Sequence, residues 1–212
     1  MTTSLEKHGL VYAFTGEGKG KTSAALGVAT RALLLEKRVV WIAFYKQASW
    51  GLAEAKLPDK FPNLEMMLGG KGFRISTNNQ APIIKQIQNS KHQTIKTAPV
   101  GRGGQVVVDT ASEEEHRAAA QSCLQHAVNS LEQQPFLLVL DEILNAVSDG
   151  LVESEAVAEL LAARGSTHVV LTGRAGTEPA RMILAGADLV TECTKVKHPY
   201  DEGKLAVAGL DF

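Results

Sequence analysis

Residues Gly9 to Thr22, GLVYAFTGEGKGKT, decide the fold that we expect for this chain. Their first half, up to Thr15, is an apolar run rich in strand-forming residues, which predicts a strand. A glycine-rich loop follows, and the alanine- and leucine-rich stretch from Gly20 to about Lys37 predicts a helix. Arg38 to Tyr45 is again almost continuously apolar, as in strands that are covered on both faces. The chain is therefore expected to begin with a strand–loop–helix–strand unit.

The loop in this unit fits the pattern G-x-x-x-x-G-K-[ST] of the P-loop, which binds phosphate groups. Gly20, Lys21 and Thr22 match the end of the pattern, whereas Thr15 stands where the first glycine is usual. In a P-loop, backbone N–H groups surround phosphate oxygens, the lysine supplies a positive charge and the hydroxyl binds Mg²⁺. The loop therefore predicts a phosphate site, and the alternative is an ordinary flexible turn.

The alternation of strands and helices continues along the chain after a less regular middle. From Lys46 to about Thr110, prolines, glycine clusters and polar runs interrupt the pattern, which predicts loops with short helices. Ser112 and Glu115 match a capping box, which predicts a helix from about Glu113 to Gln133. Further strands are expected at 136–140, 168–172 and 188–192, and further helices at 153–164 and 177–185. The pattern predicts one α/β domain over 1–212, with a mainly parallel, doubly wound sheet and ligands at the carboxyl ends of its strands.

Charged residues follow several of the predicted strands. Asp141 and Glu142 end a short apolar strand and resemble a Walker B element, in which a carboxylate binds the metal ion opposite the P-loop hydroxyl. Which of the two carboxylates binds the metal is open, and acidic residues also end many strands simply because the chain turns there. Arg174 follows another strand and could neutralise a phosphate, unless it is an ordinary surface arginine. Lys46 has the same location, with a solvated lysine as its alternative.

Composition excludes several classes of protein. The 22 basic and 23 acidic residues give a net charge of -1, so we expect neither a nucleic acid nor an anionic membrane as partner. Cys123 and Cys193 show no metal-ligand spacing, which argues against a disulfide framework or a zinc site and favours the reducing cytoplasm. No apolar run approaches the ~20 residues needed to cross a bilayer, and the first residues lack a signal-peptide core. A cytoplasmic protein is therefore expected.

Together with the P-loop, four later segments resemble those of the P-loop type of ATP:corrinoid adenosyltransferase, also called cob(I)yrinic acid a,c-diamide adenosyltransferase. They are LDEI at 140–143, LTGR at 171–174, ADLVTE at 187–192 and VKHPYDEG at 196–203. The resemblance covers about 9–52 and 113–212. It implies a RecA-like sheet, a homodimer, and transfer of the 5′-deoxyadenosyl group of ATP to the Co(I) of a corrinoid, with release of triphosphate. It also implies an electron donor that makes Co(I), and a role in adenosylcobalamin biosynthesis or salvage.

The resemblance further implies roles for individual residues. The triphosphate would be held by the loop and the start of the helix, which comprise Gly16, Glu17, Gly18, Lys19, Gly20, Lys21, Thr22 and Ser23. Thr22 with Asp141 or Glu142 would hold Mg²⁺, and Lys21, Thr22 and Glu142 would act in catalysis. The surroundings of the nucleotide would include Arg174, Lys197, His198, Pro199 and Asp201. Because Co(I) is already a strong nucleophile, this reaction needs positioning and charge stabilisation but no general base.

The chain departs from the family pattern in three places. Glu17 replaces the asparagine of a glycine–asparagine–glycine loop. A carboxylate beside phosphates would repel them unless it points outward or pairs with a lysine, and we expect Glu17 to face solvent. Phe73, in the sequence GFRI, matches the aromatic that packs near the corrin, but the tryptophan of the family's Gly-Phe-x-Trp segment is missing. Residues from about 76 to 110 do not align with the family. This insertion is either a surface excursion, or a lid over the corrin or an altered oligomer contact.

Two other functions remain open from the sequence. One is a P-loop ATPase or phosphotransferase that cleaves ATP at the γ-phosphate, as most proteins with this loop do. The other is a catalytically inactive protein that binds the nucleotide or the corrinoid. The Lys-His-Pro stretch at 197–199 separates the adenosyltransferase from a generic ATPase, which has no reason to carry it.

Overall fold

The computed structural model describes residues 8–72, 111–204 and 206–210, and within them six parallel strands form one sheet. The strands are β1 (Val11–Thr15), β2 (Val39–Ala43), β3 (Leu64–Leu68), β4 (Leu137–Asp141), β5 (His168–Thr172) and β6 (Leu189–Glu192). Their order across the sheet is β3-β2-β4-β5-β1-β6, so one strand, β5, separates the P-loop strand β1 from β4. The expected parallel α/β sheet is confirmed, with the glycine-rich loop between β1 and the helix that begins at Lys21.

Helices cover both faces of the sheet. They are α1 (Lys21–Leu34), α2 (Glu113–Leu131), α3 (Ile143–Ser148), α4 (Ser154–Ala162) and α5 (Glu178–Ala185). Side chains of α1, such as Ala29, pack on one face with Trp41 and Val139, whereas α2 to α5 pack on the other face with Ile42 and Leu140. Because successive residues of a strand point to opposite faces, burial on both faces requires continuously apolar strands. This packing explains the apolar runs from which the strands were predicted.

The N-terminus of α2 follows the predicted capping box. The hydroxyl of Ser112 accepts a hydrogen bond from the backbone N–H of Glu115 at 3.2 Å, and the carboxylate of Glu115 accepts one from the N–H of Ser112 at 2.7 Å. These two bonds satisfy N–H groups that have no partner within the helix. The helix therefore begins at Glu113, as expected.

The middle of the chain contains a strand that the sequence did not predict. Between 46 and 110 we expected loops and short helices, and the 3-10 helices Ala48–Trp50 and Ala53–Asp59 agree with this. Strand β3, however, pairs with β2 over its full length, from Leu64 beside Val39 to Leu68 beside Ala43. Its sequence, LEMML, lacks β-branched residues, so its own propensity gives little strand signal. Pairing with the edge of β2 decides its conformation instead. Helix α3, too short to show a periodic pattern, was also missed.

Some expectations lie outside the described residues. Phe73 and the segment at 76–110 belong to this group, so the role of Phe73 and the insertion remain predictions. Cys123 and Cys193 are both free, as expected. In the ranges that the structure describes, no helix has the length and apolar character needed to cross a membrane.

Candidate active site

The P-loop joins β1 to α1 at the carboxyl edge of the sheet. Gly16 and Gly20 adopt left-handed backbone conformations, with φ of 98° and 115°, which glycine reaches without steric cost. The ammonium of Lys21 lies within the curl of this loop and donates to the carbonyls of Gly16 at 2.8 Å and Gly18 at 2.7 Å. Burial lowers the pKa of Lys21, an effect opposed first by the charge of Glu142. The lysine is thus held where a P-loop lysine meets phosphates.

The segment after β6 packs directly against the P-loop. The N–H of Gly18 donates to the carbonyl of Cys193 at 2.6 Å, and the N–H of Cys193 donates to the carbonyl of Thr15 at 2.7 Å. A Cβ atom on Gly18 would lie only 2.6 Å from the Cys193 oxygen, so glycine is needed for this approach. The contact fixes the start of the C-terminal segment beside the loop.

Asp141 connects the P-loop to the neighbouring strands. Its side chain is fully buried, and its Oδ1 accepts hydrogen bonds from the hydroxyls of Thr22 at 3.0 Å and Thr172 at 2.6 Å. Thr172 also accepts a hydrogen bond from the backbone N–H of Glu142 at 2.8 Å. Thr172 was not predicted as a site residue, although its location at the end of β5 was a usable signal. The predicted meeting of Thr22 and Asp141 is therefore present, with Thr172 as a third member.

Lys46 is buried, which excludes the alternative of a solvated lysine, and its ammonium pairs with two carboxylates. Its Nζ lies 2.7 Å from Oδ2 of Asp141 and 3.0 Å from Oε1 of Glu54. Burial alone would lower the pKa of Lys46, but the charges of Asp141 and Glu54 outweigh burial and raise the pKa above its usual value. Glu54 was missed by the sequence analysis, because it reaches Lys46 only through the fold of the 3-10 helix Ala53–Asp59, and no motif marks it.

Glu142 is the more accessible of the two Walker B carboxylates. It is half-buried and adopts a left-handed backbone with φ of 66°, immediately before α3. Burial, and next the charge of Asp141, raise the pKa of Glu142 to about 7, although Lys46, Lys21 and Arg174 oppose this effect. A carboxyl group with such a pKa can gain or lose a proton near neutral pH.

Glu17 faces solvent, as expected, and it also pairs with an arginine. Its carboxylate lies 3.1 Å from Nε of Arg174, and both side chains are more than half exposed. The N–H of Arg174 donates to the side-chain carbonyl of Asn145, which fixes the backbone of the loop after β5. Arg174 therefore lies at the same edge of the sheet as the P-loop.

The remaining predicted residues lie at the rim of the site or beyond it. Lys19 and Ser23 are exposed in the P-loop and in the first turn of α1. Lys197, His198 and Pro199 follow the segment that contacts the P-loop; His198 is half-buried, and Lys197 pairs with Glu202 at 3.1 Å. Asp201 pairs with Lys195 at 2.9 Å. The structure thus gathers the loop, Thr22, both Walker B carboxylates and Arg174, whereas residues 197–201 make local ion pairs.

The side chains gathered at this edge fit a magnesium–nucleotide complex. The hydroxyl of Thr22 and the carboxylates of Asp141 and Glu142 offer oxygen ligands, which Mg²⁺ prefers. Both oxygens of Asp141 already have partners within the protein, and Glu142 is the more exposed of the two acids. Mg²⁺ usually takes only one or two protein carboxylates and completes its shell with water and substrate phosphates. The donor set therefore matches this ion.

Comparisons with known proteins agree along nearly the whole chain. The family model described as ATP:corrinoid adenosyltransferase BtuR/CobO/CobP matches residues 7–98 and 87–212. Corrinoid adenosyltransferase CobA of Salmonella typhimurium is 32% identical over 210 residues, which cover 98% of this chain and 87% of that protein. Corrinoid adenosyltransferase of Escherichia coli K12 is 30% identical over 209 residues, with the same coverage. Among solved structures, the KaiC-like protein PH0186 of Pyrococcus horikoshii is 14% identical, with a TM-score of 0.45 over 87% of this chain and 72% of that chain.

Proposed function

This chain belongs to the ATP:corrinoid adenosyltransferase family, and from that membership we propose the reaction that it catalyses. It transfers the 5′-deoxyadenosyl group of ATP to the Co(I) centre of a reduced corrinoid and releases triphosphate. The observation that carries the proposal is the match of the family model over both the P-loop half and the C-terminal half of the chain. A P-loop alone would leave the reaction undefined, because proteins with many different reactions have one.

The nucleotide is held by the P-loop. Lys21 now donates hydrogen bonds to the carbonyls of Gly16 and Gly18. The same N–H groups would donate to phosphate oxygens of the bound nucleotide. The backbone of Gly16 to Gly20 surrounds the phosphates, and Lys19 and Ser23 line the rim. Arg174 and residues 197–199 lie around the rest of the nucleotide.

Thr22 and the Walker B carboxylates would hold Mg²⁺. Thr22 donates its hydroxyl proton to Asp141, which leaves the lone pairs of the hydroxyl oxygen for the ion. Glu142, the more accessible acid, would be the carboxylate ligand, and Asp141 would orient the hydroxyl of Thr22. When bound, Mg²⁺ neutralises part of the charge on the triphosphate leaving group. Ionised Glu142 would gain a cation as partner, which favours its charged form.

The protein supplies position and charge, and the substrate supplies the nucleophile. Co(I) attacks C5′ of the ribose, the cobalt–carbon bond forms, and the bond from C5′ to the α-phosphate oxygen breaks with triphosphate as leaving group. Lys21 stabilises the charge that develops on that leaving group, and such preorganised charges lower the barrier. Because no proton is transferred in this step, it requires no general base.

A second candidate function rests on Glu142. Its pKa near 7 and its location after Asp141 suit a group that takes a proton from water, which would attack the γ-phosphate. That reaction would make this chain an ATPase that produces ADP and phosphate. The two functions differ in the bond of ATP that breaks.

The proposal includes several finer features. We propose that the chain acts in adenosylcobalamin biosynthesis or salvage, as a homodimer, with a separate electron donor that makes Co(I). A cytoplasmic location is proposed because both cysteines are free, which suits a reducing compartment. Phe73 is proposed to pack near the corrin.

The test is an anaerobic assay with Mg²⁺, ATP and a chemically reduced corrinoid. We expect formation of an adenosylated corrinoid, detected by its visible spectrum and by the loss of that spectrum in light. An unchanged corrinoid spectrum in the presence of bound ATP would contradict the proposal and leave the ATPase to be tested.

A further inference from the structure

A line of polar contacts runs from outside the P-loop site to its metal-binding hydroxyl. Glu54 contacts Lys46 at 3.0 Å, Lys46 contacts Oδ2 of Asp141 at 2.7 Å, and Oδ1 of Asp141 accepts from Thr22 at 3.0 Å. The side chains of Glu54 and Lys46 are about nine-tenths buried, and that of Asp141 is fully buried. Buried charges are rare unless they are paired, so each member of this line depends on its neighbours.

The backbone of Tyr45, just before Lys46, adopts a conformation that few side chains tolerate. Tyr45 has a φ of 64°, in the left-handed region that bulky side chains rarely adopt. The N–H of Lys46 donates to the carbonyl of Phe44 at 2.7 Å, which closes a tight three-residue turn. Strained backbone of this kind persists where the surrounding structure fixes it, and it concentrates at functional sites.

Neighbouring backbone holds this turn in place from two sides. The N–H of Phe44 donates to the carbonyl of Asp141 at 2.9 Å, and the N–H of Gly70 donates to the carbonyl of Lys46 at 3.0 Å. A Cβ atom on Gly70 would lie 1.9 Å from the carbonyl carbon of Tyr45, so glycine is required at this contact. The turn redirects the chain at the end of β2, and the ammonium of Lys46 meets Asp141 on the adjacent strand.

We propose that Lys46 is a positioning residue that acts on Thr22 through Asp141, with Glu54 as its anchor. The inference rests on the proposed function. Lys46 occupies Oδ2 of Asp141, so Oδ1 is the oxygen left for the hydroxyls of Thr22 and Thr172. This arrangement fixes the direction of the Thr22 proton and therefore of the lone pairs that face Mg²⁺. Glu54 holds the ammonium of Lys46 beside Asp141.

Lys46 also compensates the negative charge of the buried Asp141 carboxylate. Asp141 and Glu142 are adjacent acids, and without a cation beside it Asp141 would be a buried, uncompensated carboxylate. Such a group would change its orientation or its partners, and the hydroxyl of Thr22 would lose its fixed acceptor. The expected consequence is a weaker metal site with an intact P-loop.

The test measures Mg²⁺-dependent nucleotide binding in the absence of corrinoid, so that it does not depend on the transfer reaction. The rise in melting temperature caused by ATP is recorded over a series of free Mg²⁺ concentrations and in EDTA. Lys46→Met removes the charge but keeps the length of the side chain, and Lys46→Arg restores the charge. Lys56→Met is the matched control, because Lys56 is an exposed lysine on the same 3-10 helix as Glu54.

We expect Lys46→Met to raise the half-saturating Mg²⁺ concentration about tenfold, as loss of a supporting partner of a metal ligand does. Its ATP-induced shift in EDTA should match that of the unaltered protein. Lys46→Arg should return the Mg²⁺ requirement to within about threefold of the original, and Lys56→Met should not change it. If Lys46→Met does not fold, Glu54→Gln provides the same test, with a smaller rise in the Mg²⁺ requirement.

A second comparison asks whether the effect passes through Asp141. In an Asp141→Asn background, Lys46→Met should cause no further rise in the Mg²⁺ requirement, because residues that act through one contact are not additive. An equal rise in that background would overturn the inference, and so would a loss of ATP binding in EDTA, which would indicate a direct phosphate contact. An unchanged or lower Mg²⁺ requirement for Lys46→Met would overturn it as well. If the unaltered protein gave no ATP-induced shift at all, the proposed function would fail together with this inference.

Discussion

The carboxylate of Glu17 lies 3.1 Å from Nε of Arg174, and this ion pair joins the P-loop to the loop after β5. The pair explains how the loop accommodates a carboxylate beside a phosphate site. It also means that Glu17 competes with a bound nucleotide for the arginine. Because both side chains are more than half exposed, the pair itself contributes little to folding stability.

We therefore predict that Glu17→Asn tightens ATP binding. The change removes a negative charge near the phosphates and releases Arg174, and a contribution of up to about 1 kcal/mol corresponds to an affinity gain of about two- to fivefold. Isothermal titration calorimetry with ATP and Mg²⁺ measures the change in ATP affinity. Glu178→Gln is the control, because Glu178 forms an exposed pair with Arg181. Weaker binding by Glu17→Asn would contradict the competition.

Lys21→Ala should abolish most ATP binding while the protein remains folded. Charge-assisted hydrogen bonds to phosphate are lost, and a loss of about 3 kcal/mol weakens binding about 100-fold. In the free protein the ammonium donates to two loop carbonyls, of Gly16 and Gly18, and does not belong to the hydrophobic core, so circular dichroism and the melting temperature should change little. A large fall in melting temperature without ATP would indicate that Lys21 is mainly structural.

Thr22→Ala should impair Mg²⁺-dependent turnover more than nucleotide binding. The hydroxyl contacts Asp141 and is a proposed metal ligand, whereas the backbone N–H groups that bind phosphate remain. The measurement is the rate at limiting and at saturating Mg²⁺, beside ATP affinity in EDTA. Thr22→Ser keeps the hydroxyl and should retain most activity. Equal rates for the alanine variant and the unaltered protein at limiting Mg²⁺ would remove Thr22 from the metal site.

Glu142→Gln should stabilise the nucleotide-free protein at high pH only. The pKa of Glu142 is raised in the folded protein from 4.5 to about 7, mainly by burial. Folding therefore favours its protonated form, and stability is lost as the pH rises from about 4.5 to about 7. The amide carries no charge, so the variant should gain stability above that window and match the original protein below it.

Melting temperatures at about pH 4.5 and about pH 8 test this expectation, since the two values lie at or beyond the ends of the window. A gain of about 1 kcal/mol corresponds to about 2–4 °C for a chain of this size. Glu132→Gln, at an exposed carboxylate, is the control. An equal gain at both pH values would mean that the ionisation of Glu142 does not cause it.

Most of the fold could be predicted because local signals and burial agree. Strand β5 and the start of α2 follow directly from an apolar run and a capping box. Strand β3 could not be predicted, because its conformation depends on pairing with β2 and its sequence carries no strand signal. The failure is one of tertiary context overriding local propensity.

The site could be predicted where it rests on a motif and not where it rests on the fold. The P-loop was found by its residue spacing and the Asp141–Glu142 pair by its place at the end of an apolar strand, and Thr22 contacts Asp141. The contact of Lys46 with Glu54 joins two segments with no shared motif, across a backbone turn that sequence does not specify. Ion pairs of this kind depend on the packing of the whole site.

The most direct test of the account is the fate of the γ-phosphate of ATP. The protein is incubated anaerobically with Mg²⁺, γ-labelled ATP and chemically reduced corrinoid, and the phosphates are separated by chromatography. Attack by Co(I) at C5′ predicts that the label remains in intact triphosphate, at the rate at which adenosylated corrinoid appears. Label that appears in orthophosphate at the rate of ATP loss, with no cobalt–carbon bond formed, would contradict the account and identify the chain as an ATPase.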